Sequence, residues 1–286
     1  FVEEMARHLA RADRGRLFGS AGRRERAYDP VIHFYESFLA AYDPKLREKR
    51  GVYYTPAPVA SWLVRSADAV VRKRFGIPAG LAAMGGEGGE GVEREAPGVR
   101  ILDPACGTGA FLCEAISLIR DRLKDEGRGG TWPAFVRENL LPRLLGFELL
   151  PAPHAVAHFT LGMRLAGRDL PEAERLSWRY EFSAADRLGL YLANTLESGD
   201  HSFSSPGSGQ ALPGSGQAPS VLIILGNPPY AGHSANNGGR GKNGKKELTF
   251  IGRLIEDYKQ VDGEPLNDAN PKWLQDDYVK FIRWAQ

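Results

Sequence analysis

Cysteine is nearly absent: 286 residues contain only Cys106 and Cys113. Two thiols seven positions apart build neither a disulfide framework nor a four-thiolate zinc site, so a reducing, cytoplasmic setting is expected. Long apolar runs are missing too. None approaches the roughly 18 residues that span a bilayer, and no signal-peptide pattern opens the chain, so no membrane association is expected. Charge of one sign is also scarce. The 37 Lys and Arg against 35 Asp and Glu leave a net +2. That is too little for bulk attraction to nucleic acid, so any DNA-binding surface must be local. An initiator Met is lacking, since the chain opens on Phe1, and a start inside a longer polypeptide is expected. What remains is an ordinary globular composition, 42% hydrophobic and 25% charged, with chain enough for one large domain or two small ones.

Residues 1–27 are Arg-rich and polar, reading as helix ends and loop. From Tyr28 to about Phe75 the pattern is helical. Val31, Phe34, Phe38 and Leu39 fall on one face, and Val59, Trp62, Leu63, Ala67 and Val70 recur at helix spacing. A break, Gly51-Val52-Tyr53-Tyr54-Thr55-Pro56, separates the two helices, with Pro56 and Pro58 starting the second. Residues 79–98 are rich in Gly and Glu and read as a flexible surface insertion; the Ser/Gly/Pro/Gln-rich residues 198–219 read as disordered. Strands are expected at Val99–Asp103, Leu144–Glu148, Leu188–Leu192 and Val221–Leu225. Helices are expected after the first, to about Lys124, and over roughly 152–165. The uninterrupted run Val221–Leu225 is typical of a parallel strand buried on both faces. Strands alternating with helices predict an α/β doubly wound sheet.

Asp103-Pro104-Ala105-Cys106-Gly107-Thr108-Gly109 sits where the first strand gives way to a helix. Gly107 and Gly109 permit positive φ and close ligand approach, and the helix start offers free N–H groups to an anion. Asp103 supplies a carboxylate for a cationic amine. A ligand bearing both ammonium and carboxylate fits, as at the methionine end of S-adenosylmethionine. A dinucleotide fingerprint fails, because Leu112 stands where a third glycine belongs. Glu148, ending the second strand, suits a pair of ribose hydroxyls; a solvated strand-end carboxylate is the plainer alternative.

Asn227-Pro228-Pro229-Tyr230 directly follows the fourth strand. Two prolines remove two backbone donors and leave carbonyls free of sheet duty. With the Asn227 carboxamide oxygen they can grip a flat amine through both its hydrogens and stabilise the charge that develops on nitrogen. Tyr230 offers a π-face on which a flipped base stacks. A proline-rich turn with a buried Tyr is the alternative for this motif alone. Its position at a strand's C-terminal end, like the glycine turn's, favours a site.

Together these residues resemble the DNA amino-methyltransferases, specifically adenine-N6 methyltransferases whose cofactor half precedes the target-recognition half. Three segments carry the likeness: G-V-Y-Y-T-P at 51–56, D-P-A-C-G-T-G-A-F at 103–111 and G-N-P-P-Y at 226–230. The resemblance implies a Rossmann-like, S-adenosylmethionine-dependent fold. Tyr53 and Thr55 would lie beside the methionine end, Asp103, Ala105, Gly107 and Gly109 would form the cofactor turn, and Glu148 would hold the ribose. Asn194 matches the strand-end position that contacts the cofactor adenine, although many relatives carry Asp there. Asn227, Pro228, Pro229 and Tyr230 would be catalytic.

A closer likeness covers most of residues 28–286. The stretches Gly146–Leu149, Asn194–Glu197, Asn227–Asn237 and Asp276–Arg283 resemble the methyltransferase part of single-polypeptide restriction–modification enzymes. That likeness implies double-stranded DNA as partner. It also implies nuclease and helicase-like modules ahead of a helical coupler (residues 1–50) and a recognition domain behind an incomplete catalytic domain (51–286). Such a sheet needs about seven strands and only four are countable here. A C-terminally truncated, inactive fragment is therefore expected.

The remaining signals are weaker. His154 and His158 lack a third ligand, so no metal is expected. His233 lies close enough behind the motif to touch the base or to serve its loop. The basic run 238–246 (Arg240, Lys242, Lys245, Lys246) is expected to be a loop, able to order on DNA phosphates. Cys106 reads as a small turn residue, and Phe111 and Leu112 as core. Two other functions compete: a protein glutamine-N5 methyltransferase, whose amide nitrogen suits the same grip, and a noncatalytic DNA-binding subunit.

Overall fold

Four strands lie side by side, all parallel, in the order β3-β2-β1-β4: β1 Val99–Asp103, β2 Leu144–Glu148, β3 Gly189–Leu192 and β4 Val221–Ile224. The computed structural model describes residues 55–83, 99–197, 221–230, 234, 236, 239–240, 246–266 and 271–286. Tyr53, His233, the helical pattern over 28–54 and the segment 198–219 lie outside the described residues. The expected α/β doubly wound sheet is what forms. The chain steps from β1 outward to β3 and then returns to the far side of β1 as β4. The order therefore reverses between β1 and β4, where open α/β sheets bind ligands.

Alternation along the strands divides the core. Val99, Ile101, Leu144 and Leu190 face a layer made by α1 (Ala57–Arg74), α2 (Ala110–Asp125) and α3 (Pro151–Leu165), which contribute Val64, Leu112, Ile116 and Leu161. Leu102, Leu145 and Phe147 face the other way, where Trp284 packs. Trp284 belongs to the last helix, and two helices close the described chain: α4 (Phe250–Ile255) and α5 (Asp277–Ala285). Phe111 and Leu112 are buried, as expected. Pro58 at the start of α1 and Pro151 and Pro153 at the start of α3 occupy turns whose N–H groups have no helical partner.

Three expectations need correction. In α1 the buried face is Ala60, Val64, Asp68 and Val71, while Val59, Trp62 and Val70 are exposed. A buried ion pair sets this rotation: Asp68 Oδ2 lies 2.6 Å from Arg122 of α2. Periodicity of apolar residues alone cannot see such a pair. The expected insertion at 79–98 begins later than composition implied, because Gly80–Ala82 forms a buried 3₁₀ turn. Asp68 Oδ1 accepts the Leu81 N–H at 2.9 Å, and Gly80, at φ 57°, has no room for a Cβ beside that carboxylate. Arg143 donates to the carbonyls of both Ala83 and Val99, tying together the two ends that flank residues 84–98. Finally, β4 pairs on one side only and Leu222 is exposed, so the strand expected to be buried on both faces lies at the edge of the described sheet.

Candidate active site

Every expected site residue among those described lies near the C-terminal edge of the sheet. Asp103 ends β1 and Glu148 ends β2. Asn194 follows β3 and Asn227 follows β4. The glycine turn and the N-P-P-Y segment meet across the switch point. A Cβ placed on Gly226 would lie 2.9 Å from Asp103 Oδ1 and 3.2 Å from Pro104 Cδ, so only glycine lets the β4 exit pass this close to β1.

In the turn, Gly107 has φ 54° with open space on its Cβ side, and Gly109 has φ 88°. Gly109 starts α2 in the left-handed region, and a Cβ there would lie 2.5 Å from Leu161 Cδ1. The first glycine thus leaves open space beside its backbone, and the second lets α3 close against the turn. Two hydroxyls fix the turn from outside. Thr160 Oγ1 donates to the Thr108 carbonyl at 2.8 Å, and Thr195 Oγ1 donates to the Pro104 carbonyl at 2.6 Å. Neither threonine was singled out from sequence. The one available signal was a hydroxyl on an otherwise apolar helix face, at Thr160.

Asp103 is fully buried. Its Oδ1 accepts the Ala105 N–H at 3.1 Å, while Oδ2 has no partner. Burial pushes its carboxyl up to about 8; the Ala105 N–H opposes that rise and the nearby Glu148 charge adds to it. Glu148 accepts from the Gly107 N–H (2.9 Å, Oε2) and the Leu150 N–H (2.8 Å, Oε1), so it braces the turn it was expected to complement. Burial raises its carboxyl as well. The unpartnered Asp103 oxygen, near a second acidic side chain, suits a positive charge. Cys106 is buried, its thiol pushed far up by burial and by Asp103, so it serves as a small turn residue and no thiolate forms.

Asn227 is held at both ends of its carboxamide: Nδ2 donates to Thr55 Oγ1 at 3.2 Å, and Oδ1 accepts the Tyr230 hydroxyl at 3.0 Å. Thr55, from the first motif, therefore touches the last. Among the described residues nothing donates to the Pro228 carbonyl. The exposed Tyr230 ring stacks on Tyr278 of α5, with centroids 5.1 Å apart and planes inclined by 19°. Sequence reasoning missed this second aromatic.

Asn194, expected beside the cofactor adenine, is hydrogen-bonded within the chain. Its Nδ2 donates to Asn236 Oδ1 at 3.0 Å and its Oδ1 accepts the Leu196 N–H at 3.1 Å. Beside Asn236, the buried Lys280 bonds Ser234 Oγ at 2.6 Å and faces Asp277 at 3.7 Å. A polar network thus joins the end of β3 to α5. The basic run is partly described: Gly239–Arg240 pairs with Lys246–Glu247 as a short antiparallel ribbon. The His154 and His158 rings meet edge-on at 4.6 Å, and no group of three metal-ligating side chains occurs among the described residues. No helix among them is long and apolar enough to cross a membrane.

Residues 26–164 match the family model described as N-6 DNA Methylase. No curated protein matches the chain. Among solved structures it is similar to a cryo-EM structure of a DrdV–DNA complex, at 26% identity and TM-score 0.54, covering 88% of this chain and 21% of that one. It is also similar to the ATP-dependent Type ISP restriction-modification enzyme LlaBIII bound to DNA (21% identity, TM-score 0.57, 89% of this chain and 15% of that one). A third is a nuclease-deletion mutant of the Type ISP enzyme LlaGI in complex with a DNA substrate mimic (20%, TM-score 0.54, 91% and 18%). At those identities the last two speak to the fold alone. The chain spans between 15% and 21% of the length of these relatives.

Proposed function

We propose, from the match of residues 26–164 to the N-6 DNA Methylase family model, that this chain transfers a methyl group from S-adenosylmethionine to the N6 amine of an adenine flipped out of duplex DNA. The observation that carries the proposal is the contact across the switch point, where Gly226 abuts Asp103 and so sets Asn227 beside the glycine turn. The residues fit the cofactor. The unpartnered, buried Asp103 Oδ2 suits an ammonium, and the open side of Gly107 leaves its backbone approachable. Thr55 and the α2 N-terminus are available to a carboxylate. Glu148 keeps lone pairs for ribose hydroxyls after accepting its two N–H bonds. For Asn194, contact with the cofactor adenine requires a change of partner from Asn236.

S-adenosylmethionine supplies a methyl group made electrophilic by its sulfonium. The chain's own residues prepare the acceptor. Asn227 Oδ1 and the Pro228 carbonyl each accept one hydrogen of the adenine amine, raise electron density on N6 and orient its lone pair. They gain most as nitrogen becomes positive, while the N6–methyl bond forms and the sulfur–methyl bond breaks, so they stabilise the transition state more than the ground state; the surplus N6 proton then leaves to water. Stacking on Tyr230 contributes ~1–3 kcal/mol, comparable with the few kcal/mol that flipping costs. We assign residues 51–286 to the catalytic domain and 1–50 to a helical coupler, within a restriction–modification polypeptide that also carries nuclease, helicase-like and target-recognition modules.

The test is incubation of the full-length protein with methyl-labelled cofactor and either unmethylated DNA or a glutamine-containing peptide. Label is expected in DNA as N6-methyladenine. Label in the peptide assigns the chain to protein amide methylation instead. Tight DNA binding without label, at saturating cofactor, makes it a noncatalytic binding subunit. Asn227→Ala is expected to lower kcat about 10²–10³-fold, with KM for DNA little changed.

A further inference from the structure

We infer that Thr55 is a positioning residue through which the cofactor's carboxylate selects the productive orientation of the Asn227 carboxamide; the inference rests on the methyl-transfer reading above. Asn227 is flanked by two hydroxyls, Thr55 Oγ1 at 3.2 Å and Tyr230 OH at 3.0 Å. A hydroxyl both donates and accepts. The same heavy atoms therefore accommodate the carboxamide turned by 180°, with Oδ1 toward Thr55 and Nδ2 toward Tyr230. Only one orientation is useful. With Oδ1 on the Tyr230 side, a second lone pair remains for the base amine; the turned form sets N–H against N–H.

Nothing in the pair of hydroxyls alone decides between them. An anion does. A carboxylate that takes the single Thr55 hydroxyl hydrogen leaves Oγ1 with lone pairs only, and then only Nδ2 of Asn227 can face it. Thr55 is buried, so water competes weakly for that hydrogen. Asn227 in turn adjoins Gly226, which touches Asp103. The chain of contacts therefore runs from the proposed ammonium site to the catalytic amide. Among the described residues, Thr55 Oγ1 donates to no other group, which leaves its hydrogen available.

Three readouts in the full-length protein test this. The target duplex is taken from the adenines that the wild type methylates on plasmid DNA. Thr55→Val is expected to lower kcat about 10²-fold and to raise KM for DNA about tenfold, and Thr55→Ser to recover most of both losses. S-adenosylhomocysteine, which bears the carboxylate, is expected to tighten wild-type binding of the target duplex about tenfold more than 5′-methylthioadenosine, which lacks it. Thr55→Val abolishes that difference and Thr55→Ser restores it. Melting curves and methylthioadenosine affinity matching wild type establish that Thr55→Val is folded; if it is not, the Thr55→Ser and wild-type arms with the two nucleosides still decide. A wild-type duplex affinity indifferent to the carboxylate, or a Thr55→Val protein that keeps the difference, overturns the inference. A wild type that methylates no adenine overturns the functional reading itself, and is seen first.

Discussion

Asp103 holds one carboxylate oxygen against the Ala105 N–H and the other, unpartnered, inside the protein. With its carboxyl pushed up to about 8 by burial, the ligand-free site is largely protonated at neutral pH. An ammonium needs the ionised form. Cofactor affinity is therefore expected to rise from pH 6 to about 7.5, below the range in which an α-amino group loses its own proton, and binding at pH 7 to release close to one proton, read by calorimetry in buffers of different ionisation enthalpy. Stability runs the opposite way. The group titrates near 3.8 when unfolded and about 8 when folded, so between those values the folded state binds more protons and loses stability as pH rises. Asp103→Asn is expected to remove both slopes. It melts higher than wild type at pH 9, by less at pH 6, and binds cofactor weakly at both. An affinity for S-adenosylhomocysteine that stays flat with pH in the wild type would assign the ammonium elsewhere.

The two glycines of the turn separate fold from binding at the scale of elements. Gly109→Ala places a methyl in left-handed backbone and against Leu161, which is itself buried, so α2 and α3 must part. A loss of about 2–4 kcal/mol is expected from backbone strain plus overpacking, seen in thermal melts. Gly107→Ala meets open space and costs only about 1–2 kcal/mol of backbone strain, but its methyl enters the ligand's approach, so cofactor affinity falls while the melt moves little. Most of these elements were legible in the sequence. The bounds Val99–Asp103 and Leu144–Glu148 are those expected, because parallel strands under helices read as unbroken apolar runs. The buried face of α1 was not legible, since Asp68 is inside because Arg122, 54 residues away, and the Leu81 N–H meet it. The strand-end positions of the proposed site residues were legible for the same reason as the strands. Thr160, Thr195, Tyr278 and Lys280 were not, because their roles exist only through partners 46 to 91 residues distant.

Across the whole molecule the net charge of +2 supplies little attraction for DNA, so the proposed binding has to come from where the charges sit. The strand ends proposed to hold adenine and cofactor carry acidic side chains, Asp103 and Glu148. A phosphate contact has to be made elsewhere. The segment between Asn227 and α4 carries Arg240, Lys242, Lys245 and Lys246 within seven residues, and its ends are held together by the Gly239–Arg240 and Lys246–Glu247 ribbon. Each phosphate neutralised adds about 0.9 to the slope of log K against log salt on duplex DNA. Replacing these four residues with Gln takes the net charge from +2 to −2. If all four reach phosphates, the salt slope of the full-length protein becomes shallower by about 3–4, and affinity falls most at low salt. The kcat at saturating DNA is expected to stay near that of the wild type, since phosphate contacts position the duplex and take no part in the transfer itself. An unchanged slope in a binding titration from 50 to 200 mM salt would move the phosphate contacts off this ribbon. A slope that shortens together with a collapse of kcat would instead tie the segment to the Asn227 pocket, through Thr249 Oγ1 and the Asn236 carbonyl it bonds at 2.6 Å.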